Sequence, residues 1–387
     1  MKIKTIILLF NFFLLFSCSN QKESSSNNYQ LKKAGEEIAF ELDEHTKSSS
    51  HALFIYKDKA QNREYLTFLN PNFIVNEILF YDFETRKLVS KIKPELDGNN
   101  GVGTVLGYLI LNSDSIFLTS RELTEIALID TSCILKEQLA FGTTKDKIPL
   151  RASYSTSFNY QPIYKIGNKL YATSRCNRKE NVNPVSFTID LDTKEVEHLP
   201  LEYPKLQTRI NPAKIASVEN KYSRIFDGTQ FVYSFSYEED IYIASIDHKT
   251  ITRKPIKSKY IDKMIPLDDF GNVTFKDLCD HAEYGNLLYD PYRNVYYRIA
   301  FPQTDVPNNL KDRDYMDLLD YGKKSFSVII LDKDFHIIGE TLFPDCTYNP
   351  KMAFVREDGL YISASHAFSE NYSDDWLKFQ RFELVKE

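Results

Sequence analysis

The sequence predicts an all-β protein, a β-propeller of six blades with four strands each, on three observations. From about residue 36 the chain reads as strand after strand: short runs rich in Ile, Val, Tyr, Phe and Thr, bounded by turns of Asn, Asp, Gly and Lys. Apolar residues at helical spacing are confined to two insertions, near 258–282 and 308–321. A degenerate hairpin recurs along the chain, in which an apolar strand enters an Asp-centred turn and leaves as a second strand.

The hairpins come in order. Ile78-Leu79-Phe80-Tyr81-Asp82 leads through Thr85-Arg86-Lys87 to Leu88-Val89, and Ile126-Ala127-Leu128-Ile129-Asp130 leads to Ile134-Leu135. Phe187-Thr188-Ile189-Asp190 turns into Val196, and Ile243-Ala244-Ser245-Ile246-Asp247 into Ile251. Val328-Ile329-Ile330-Leu331-Asp332 closes on His336-Ile337-Ile338. A turn Asp accepts from backbone amides two residues on, so these carboxylates are structural and not catalytic. A further strand lies upstream of each hairpin (115–119, 169–173, 230–234, 294–298, with a similar one at 359–363), and one more short apolar run precedes it. Four strands per unit and units at 51–93, 105–140, 152–200, 212–257, 284–343 and 351–384 make a six-bladed ring. The last unit has three clear strands. Its fourth is expected from Glu37-Ile38-Ala39-Phe40-Glu41-Leu42, a closure that joins the chain ends and leaves no long edge unpaired. A ring of seven blades is the alternative.

The N-terminal segment carries an address. Lys2 and Lys4 precede an apolar run, Ile6 to Phe16, broken only by Asn11. As a helix it would be about 16 Å long, short of the roughly 20 residues a bilayer requires. Leu15-Phe16-Ser17-Cys18 follows and resembles the bacterial lipobox, in which the Cys sulfur becomes a diacylglyceryl thioether. The expected organisation is a signal peptide over 1–17, a lipidated flexible tether over 18–33 and one propeller domain over 34–387. The membrane is then a partner through lipid on Cys18, and two or more acyl chains hold stably. A secretory signal with a chance Cys is the plainer alternative. Ser19, where enterobacterial inner-membrane lipoproteins carry Asp, favours the outer membrane. Gln21-Lys22-Glu23 loosely resembles surface-export signals of Bacteroidetes lipoproteins, and the sequence leaves the membrane face open.

Composition narrows the classes. The 387 residues include 48 basic and 54 acidic side chains, for a net charge of −6, with 27 Phe, 25 Tyr and only 13 Gly. These values exclude collagen, a coiled coil, a disulfide-dense scaffold and bulk disorder. A net negative field repels phosphate, so nucleic acid is not an expected partner. Cys133, Cys176, Cys279 and Cys346 show neither a CxxC nor a zinc spacing. An envelope compartment permits disulfides, but the expectation is buried free thiols.

Two stretches carry a family resemblance: Arg224-Ile225-Phe226-Asp227-Gly228 running into Phe231-Val232-Tyr233-Ser234-Phe235, and Leu288-Tyr289-Asp290-Pro291-Tyr292-Arg293-Asn294-Val295-Tyr296-Tyr297-Arg298. With the lipobox and the length, they resemble the Bacteroidetes lipoprotein family called domain of unknown function 4221. The resemblance covers essentially the whole mature chain. It implies a propeller-like fold and an envelope location, and it transfers no catalytic residue.

Motifs for chemistry are sparse. There is no Gly-x-Ser-x-Gly elbow. Gly101-Val102-Gly103 with Gly107 imitates a dinucleotide loop, yet Tyr108-Leu109-Ile110-Leu111 after it reads as a strand. The seven His show no HExxH, and Asp97-Gly98-Asn99-Asn100-Gly101 reads as a turn rather than a calcium loop. No cofactor or metal is expected, although calcium stays open because propeller lactonases gather ligands from separate blades. The Asp box of sialidase propellers does not occur; the one Trp, Trp376, follows Asp374-Asp375, and the Tyr and Phe are mostly inter-blade packing. Asp312, Asp314, Asp317 and Asp320 read as a solvated helix face.

The binding candidates are Arg209, His281, Tyr297 and Arg298. A buried Arg must be paired, so Arg298, after two tyrosines, is expected to bridge neighbouring strands. His281 lies on the insertion before the fifth unit. It reads as a titrating base at a loop site or as an ordinary packed residue. The expected function is a membrane-anchored binding or scaffold module for a protein or glycan partner. The alternatives are a propeller hydrolase or lactonase at the channel mouth, and an accessory subunit of an envelope machine. Carboxylates converging in the channel would favour the enzyme; an aromatic or apolar patch would favour binding.

Overall fold

The computed structural model describes residues 28–70, 75–150, 157–175, 181–204, 221–264 and 274–387. The signal segment, Leu15, Phe16, Ser17, the lipidation residue Cys18, Cys176 and Arg209 lie outside the described residues.

The fold is all-β. Strand β1 (Tyr29–Glu41) is followed by β2 (Leu53–Asp58), β3 (Arg63–Leu69), β4 (Ile78–Asp82) and β5 (Leu88–Ile92), which form one antiparallel meander. A second meander is β6 (Val105–Asn112), β7 (Ser115–Ser120), β8 (Glu125–Ile129) and β9 (Leu135–Ala140). The third is β10 (Tyr164–Ile166), β11 (Lys169–Thr173), β12 (Ser186–Asp190) and β13 (Val196–His198), and the fourth is β14 (Tyr222–Phe226), β15 (Phe231–Phe235), β16 (Asp240–Ala244) and β17 (Ile251–Pro255). Helix α1 (Phe275–Asp280) leads to β18 (Glu283–Asp290) and β19 (Val295–Phe301). Helix α2 (Asp312–Asp320) then leads to β20 (Ser327–Leu331), β21 (Ile337–Leu342), β22 (Asn349–Arg356), β23 (Gly359–Ser363) and β24 (Trp376–Lys386). Both helices fall within the two insertions the sequence marked, and they pack on each other through Cys279, Val306, Tyr315 and Leu318.

These last strands form an eight-stranded sheet in the order β18-β19-β20-β21-β1-β24-β23-β22. It comprises two four-stranded antiparallel groups joined by one parallel pair, Tyr29 with Gly339. Only glycine fits there, because a Cβ on Gly339 would lie 1.9 Å from the Tyr29 carbonyl oxygen. Strand β1 pairs antiparallel with β24 along its length, from Tyr29 with Lys386 to Glu41 with Trp376. The N-terminal strand thus completes the C-terminal group, as the sequence expected. The expected boundary is corrected: the strand begins at Tyr29, not after a tether ending at 33. Leu31 is buried in the core and the ladder to β24 continues past it, so residues 29–33 belong to the folded unit.

Each consecutive pair of groups encloses its own apolar layer. Leu66, Phe68 and Tyr81 meet Phe354, Leu377 and Phe379 between the first and last groups, and similar layers fill every other interface. The plentiful aromatics pack here, edge-on and stacked, as in Phe40 on Tyr81 and Phe354 on Tyr361.

The Asp turns are structural. Asp82 Oδ1 accepts from the Thr85 amide at 2.7 Å, Asp190 Oδ1 from Asp192 and Thr193 at 3.0 Å, and Asp332 Oδ1 from Asp334 and His336 at 2.9 and 2.8 Å. Arg86, Cys133, Lys194, His248 and Phe335 occupy these turns at φ between 56° and 63°. The backbone accepts that left-handed conformation without Gly because each such amide donates back across the turn.

Candidate functional site

The first strands of all six groups, β2, β6, β10, β14, β18 and β22, line one central channel. A short hairpin ahead of β10 obstructs its waist. The Asn159 amide donates to the His51 carbonyl at 2.8 Å, and Asn159 Nδ2 donates to the Lys351 carbonyl on β22 at 2.5 Å. The Tyr160 carbonyl accepts from the Arg224 amide on β14 at 2.8 Å, and Ser157 Oγ donates to the Tyr108 carbonyl on β6 at 2.8 Å. Gly107 makes the approach to β6 feasible: a Cβ there would sit 2.4 Å from the Ser157 carbonyl oxygen. This is what the supposed dinucleotide-loop glycine does.

On one side of the waist, at the C-terminal ends of the inner strands, the channel widens into an aromatic funnel. Two merging cavities of about 360 and 580 Å³ share Ile55, Tyr56, Ile110, Asn159, Tyr164 and Val355. Farther out lie Leu111, Phe226, Leu288, Tyr289 and Tyr292. Lys57 Nζ donates to the Tyr292 hydroxyl at 2.9 Å on the rim. Asn159 Oδ1, at the floor, is buried and has no hydrogen-bond partner among the described residues.

On the other side, at the N-terminal ends, lies a polar cavity of about 90 Å³ walled by His51, Tyr160, Lys221, Glu283 and Lys351. Glu283 Oε2 accepts from Tyr237 at 2.9 Å and from Lys221 at 3.3 Å, and Oε1 lies 3.0 Å from Lys323 Nζ. Lys323 sits behind Glu283, 3 % exposed, and also donates to the His281 carbonyl at 2.8 Å. Lys351 Nζ donates to the Leu319 carbonyl. Burial works against the Glu283 carboxylate, but the Lys221 and Lys323 ammoniums outweigh it and hold the carboxyl well below its usual range. Lys351 is pushed down to about 8 by burial and then by Lys221. His51 is lowered to about 4 by burial and then by Lys351.

The sequence candidates fall elsewhere. Tyr297 is fully buried between the fifth and sixth groups, its hydroxyl donating to Asp290 Oδ2 at 3.1 Å. Arg298 is fully buried as well. It donates to Ser234 Oγ at 2.9 Å and to the carbonyls of Glu239, Ile256 and Glu238 at 2.6 to 2.7 Å, with its guanidinium 3.5 Å above the Tyr284 ring. It staples the fifth group to the fourth, and Arg224 staples the fourth to the third by the same device. Neither Tyr297 nor Arg298 reaches a surface, so both are structural rather than binding residues. His281 caps the C-terminal end of α1, 4 % exposed, its ring 5.3 Å from that of Tyr237. It borders the charged cluster through its carbonyl, and burial lowers its imidazole to about 4.

Sequence reading missed Asn159, Lys221, Glu283 and Lys351. One signal was present: each stands at or just before the first strand of a unit, so aligning the units on their inner strands would have collected them. For metals, the one group of three potential ligands among the described residues, Asp332, Asp334 and His336, lies in the turn between β20 and β21, away from the channel. Asp97–Gly101 is a turn closed by a Gly101-to-Gly98 hydrogen bond at 3.1 Å, with the Asn100 side chain accepting from the Leu135 amide. Cys133, Cys279 and Cys346 are free thiols, and Cys279 is buried. No described helix is long and apolar enough to cross a membrane.

Comparison with known proteins adds a family. The family profile described as "Domain of unknown function (DUF4221)" matches residues 28–342. The crystal structure of a member of that family from Bacteroides vulgatus is 25% identical, with a TM-score of 0.78, and the match covers 94% of this chain and 100% of that one. A Bacteroides fragilis protein described provisionally as exported is 9% identical, with a TM-score of 0.56 over 94% and 97% of the two chains; that likeness concerns the fold alone. No curated protein matches.

Proposed function

Because this chain belongs to the family described as domain of unknown function 4221, which transfers no activity, its function must be read from its own channel, and we propose that it is a lipid-anchored envelope protein whose six-bladed propeller binds a glycan in the aromatic funnel. Six four-stranded groups packed pairwise, the last on the first, support the propeller. The lipobox ending in Cys18 supports the anchor.

The observation that carries the glycan reading is the blind floor of the funnel. A tube blocked at Asn159 is a pocket, not a pore. Its walls are tyrosines and aliphatic side chains, and its floor is an acceptor with no donor among the described residues. A sugar ring offers a CH face to an aromatic plane and a hydroxyl to such an acceptor. The alternative of a channel-mouth hydrolase has less support, since Glu283, the carboxylate walling the channel, has its oxygens taken up by Tyr237, Lys221 and Lys323. Strand β1 starts at the funnel-mouth end, beside Lys386. Ten residues from Cys18 to Asn28 span at most about 34 Å, so the funnel works on glycans close to the membrane surface.

The test is an oligosaccharide array probed with the full-length protein and with Val355→Trp, which fills the funnel. Selective binding that the variant loses is expected. Binding to no oligosaccharide, or equal binding by both proteins, overturns the reading.

A further inference from the structure

The polar cavity across the waist is a second site, and its chemistry differs from that of the funnel. Its walls present donors: the ammoniums of Lys221 and Lys351, the His51 ring and the Tyr160 hydroxyl. The one carboxylate among its described lining residues, Glu283, already accepts from Tyr237, Lys221 and Lys323. Three ammoniums therefore surround one carboxylate. Among the described residues, Asp320, exposed at the end of α2, also acts on Lys351, but only through space. A positive excess in a partly buried space is costly unless an anion joins it. Lys351 registers that cost in its lowered basicity.

We propose that this cavity binds a small oxyanion, a carboxylate or phosphate group, held by Lys351 and Lys221 with hydrogen bonds from His51 and Tyr160. The size agrees. A cavity of about 90 Å³ has room for one tetrahedral or trigonal oxyanion, since about 10–15 Å³ on this measure already holds a water. Neutral imidazole suits the role, because its N–H donates and its ring adds no charge to the crowded cluster. The proposal does not rest on the glycan reading, since the hairpin at Asn159 separates the two compartments.

The probes are inorganic phosphate and succinate, titrated separately against the full-length protein in detergent, with chloride holding ionic strength constant. The first readout is acetylation of Lys351 by an N-hydroxysuccinimide ester, followed by mass spectrometry, with Lys57 as the internal reference. The expected result is a saturable slowing of Lys351 acetylation, at least fivefold, with Lys57 unchanged. Phosphate or succinate acting at the lower concentration identifies the oxyanion. The second readout is thermal stabilisation by the same anion, which Lys351→Met is expected to weaken at least tenfold in apparent affinity. Should that variant not fold, the protection measurement on the unaltered protein decides alone. Protection by neither anion, or equal protection by chloride, overturns the proposal.

Discussion

The two ends of the channel are built from the same six strands and behave as opposites. At the N-terminal ends, Lys221, Glu283, Lys351 and the neighbouring Lys323 are locked into one network of charges and carbonyls. At the C-terminal ends, Ile55, Ile110, Tyr289, Tyr292 and Val355 leave several hundred cubic ångströms of space between them. The difference follows from what each end must satisfy. Buried charges tolerate no loose partner, so the charged end is over-determined. Apolar walls impose no such demand, so the funnel is free to be shaped for a ligand. Stability should therefore concentrate at the charged end, whose cavity is small, and recognition of a large ligand at the funnel.

The largest expected effect is on pH dependence. Burial lowers His51, His248 and His281 from 6.5 to about 4. Unfolded, each takes up a proton below 6.5; folded, each resists until about 4. Unfolding thus binds protons across that window, and stability falls as pH falls, by about 1.4 kcal/mol per pH unit for each histidine fully engaged. Two of the three sit at the charged end; His248 lies inside the fourth group, its Nε2 2.5 Å from the Tyr233 hydroxyl. His366, also buried and lowered in the same direction, adds to them, so denaturant melts between pH 7 and 4 should show a slope of at least about three protons, of which His281→Gln should remove about one. A flat profile would deny that these rings are buried and neutral.

Next comes Glu283→Gln. It strands Lys323 in the interior without a counter-charge, at a cost of roughly 3–5 kcal/mol at pH 7. Removing both charges in Glu283→Gln with Lys323→Met should recover more than half of the loss, because the single variant's penalty is mostly the orphaned ammonium. A double variant as unstable as the single one would show that packing, not charge, holds this end. The wild-type contribution of Glu283 is present above its ordinary carboxyl value of 4.5 and is lost as pH falls below it, after the histidines have titrated.

Much of the architecture was legible because it repeats. Period-2 runs and Asp turns recur in every unit, so β4, β8, β12, β16 and β20 could be placed from residues alone, and β1 was the strand left over to complete the last group. The site was not legible, for a physical reason. Glu283 and Lys323 lie forty residues apart, and Asn159 and Lys351 almost two hundred. Such contacts arise only when the ring closes, and no local spacing encodes them. Arg298 shows the converse. Its sequence context said buried and bridging, and the structure agrees, but its partners proved to be carbonyls of the neighbouring group rather than an acid. His281 was singled out for its neighbourhood, while the group at the centre of the charge cluster was Glu283, two residues on.

The smallest effect on stability should come from the funnel rim, where the contrast between the two ends is sharpest. Tyr292 is 45% exposed, and its hydroxyl contact is to the exposed ammonium of Lys57. Tyr292→Ala should change stability by no more than about 0.5 kcal/mol, as surface truncations do. Its effect on glycan binding should be far larger in proportion. An aromatic platform contributes about 1–1.5 kcal/mol to a stacked contact, so affinity should drop by roughly tenfold. The two quantities can be read from one protein preparation, by urea melts and by titration with the best oligosaccharide from the array. If the variant loses several kcal/mol of stability, the rim is part of the structural frame and the division of labour between the ends fails. If it keeps both its stability and its affinity, the ligand stops deeper, against Tyr56 and Asn159, and the rim tyrosine is outside the recognition surface.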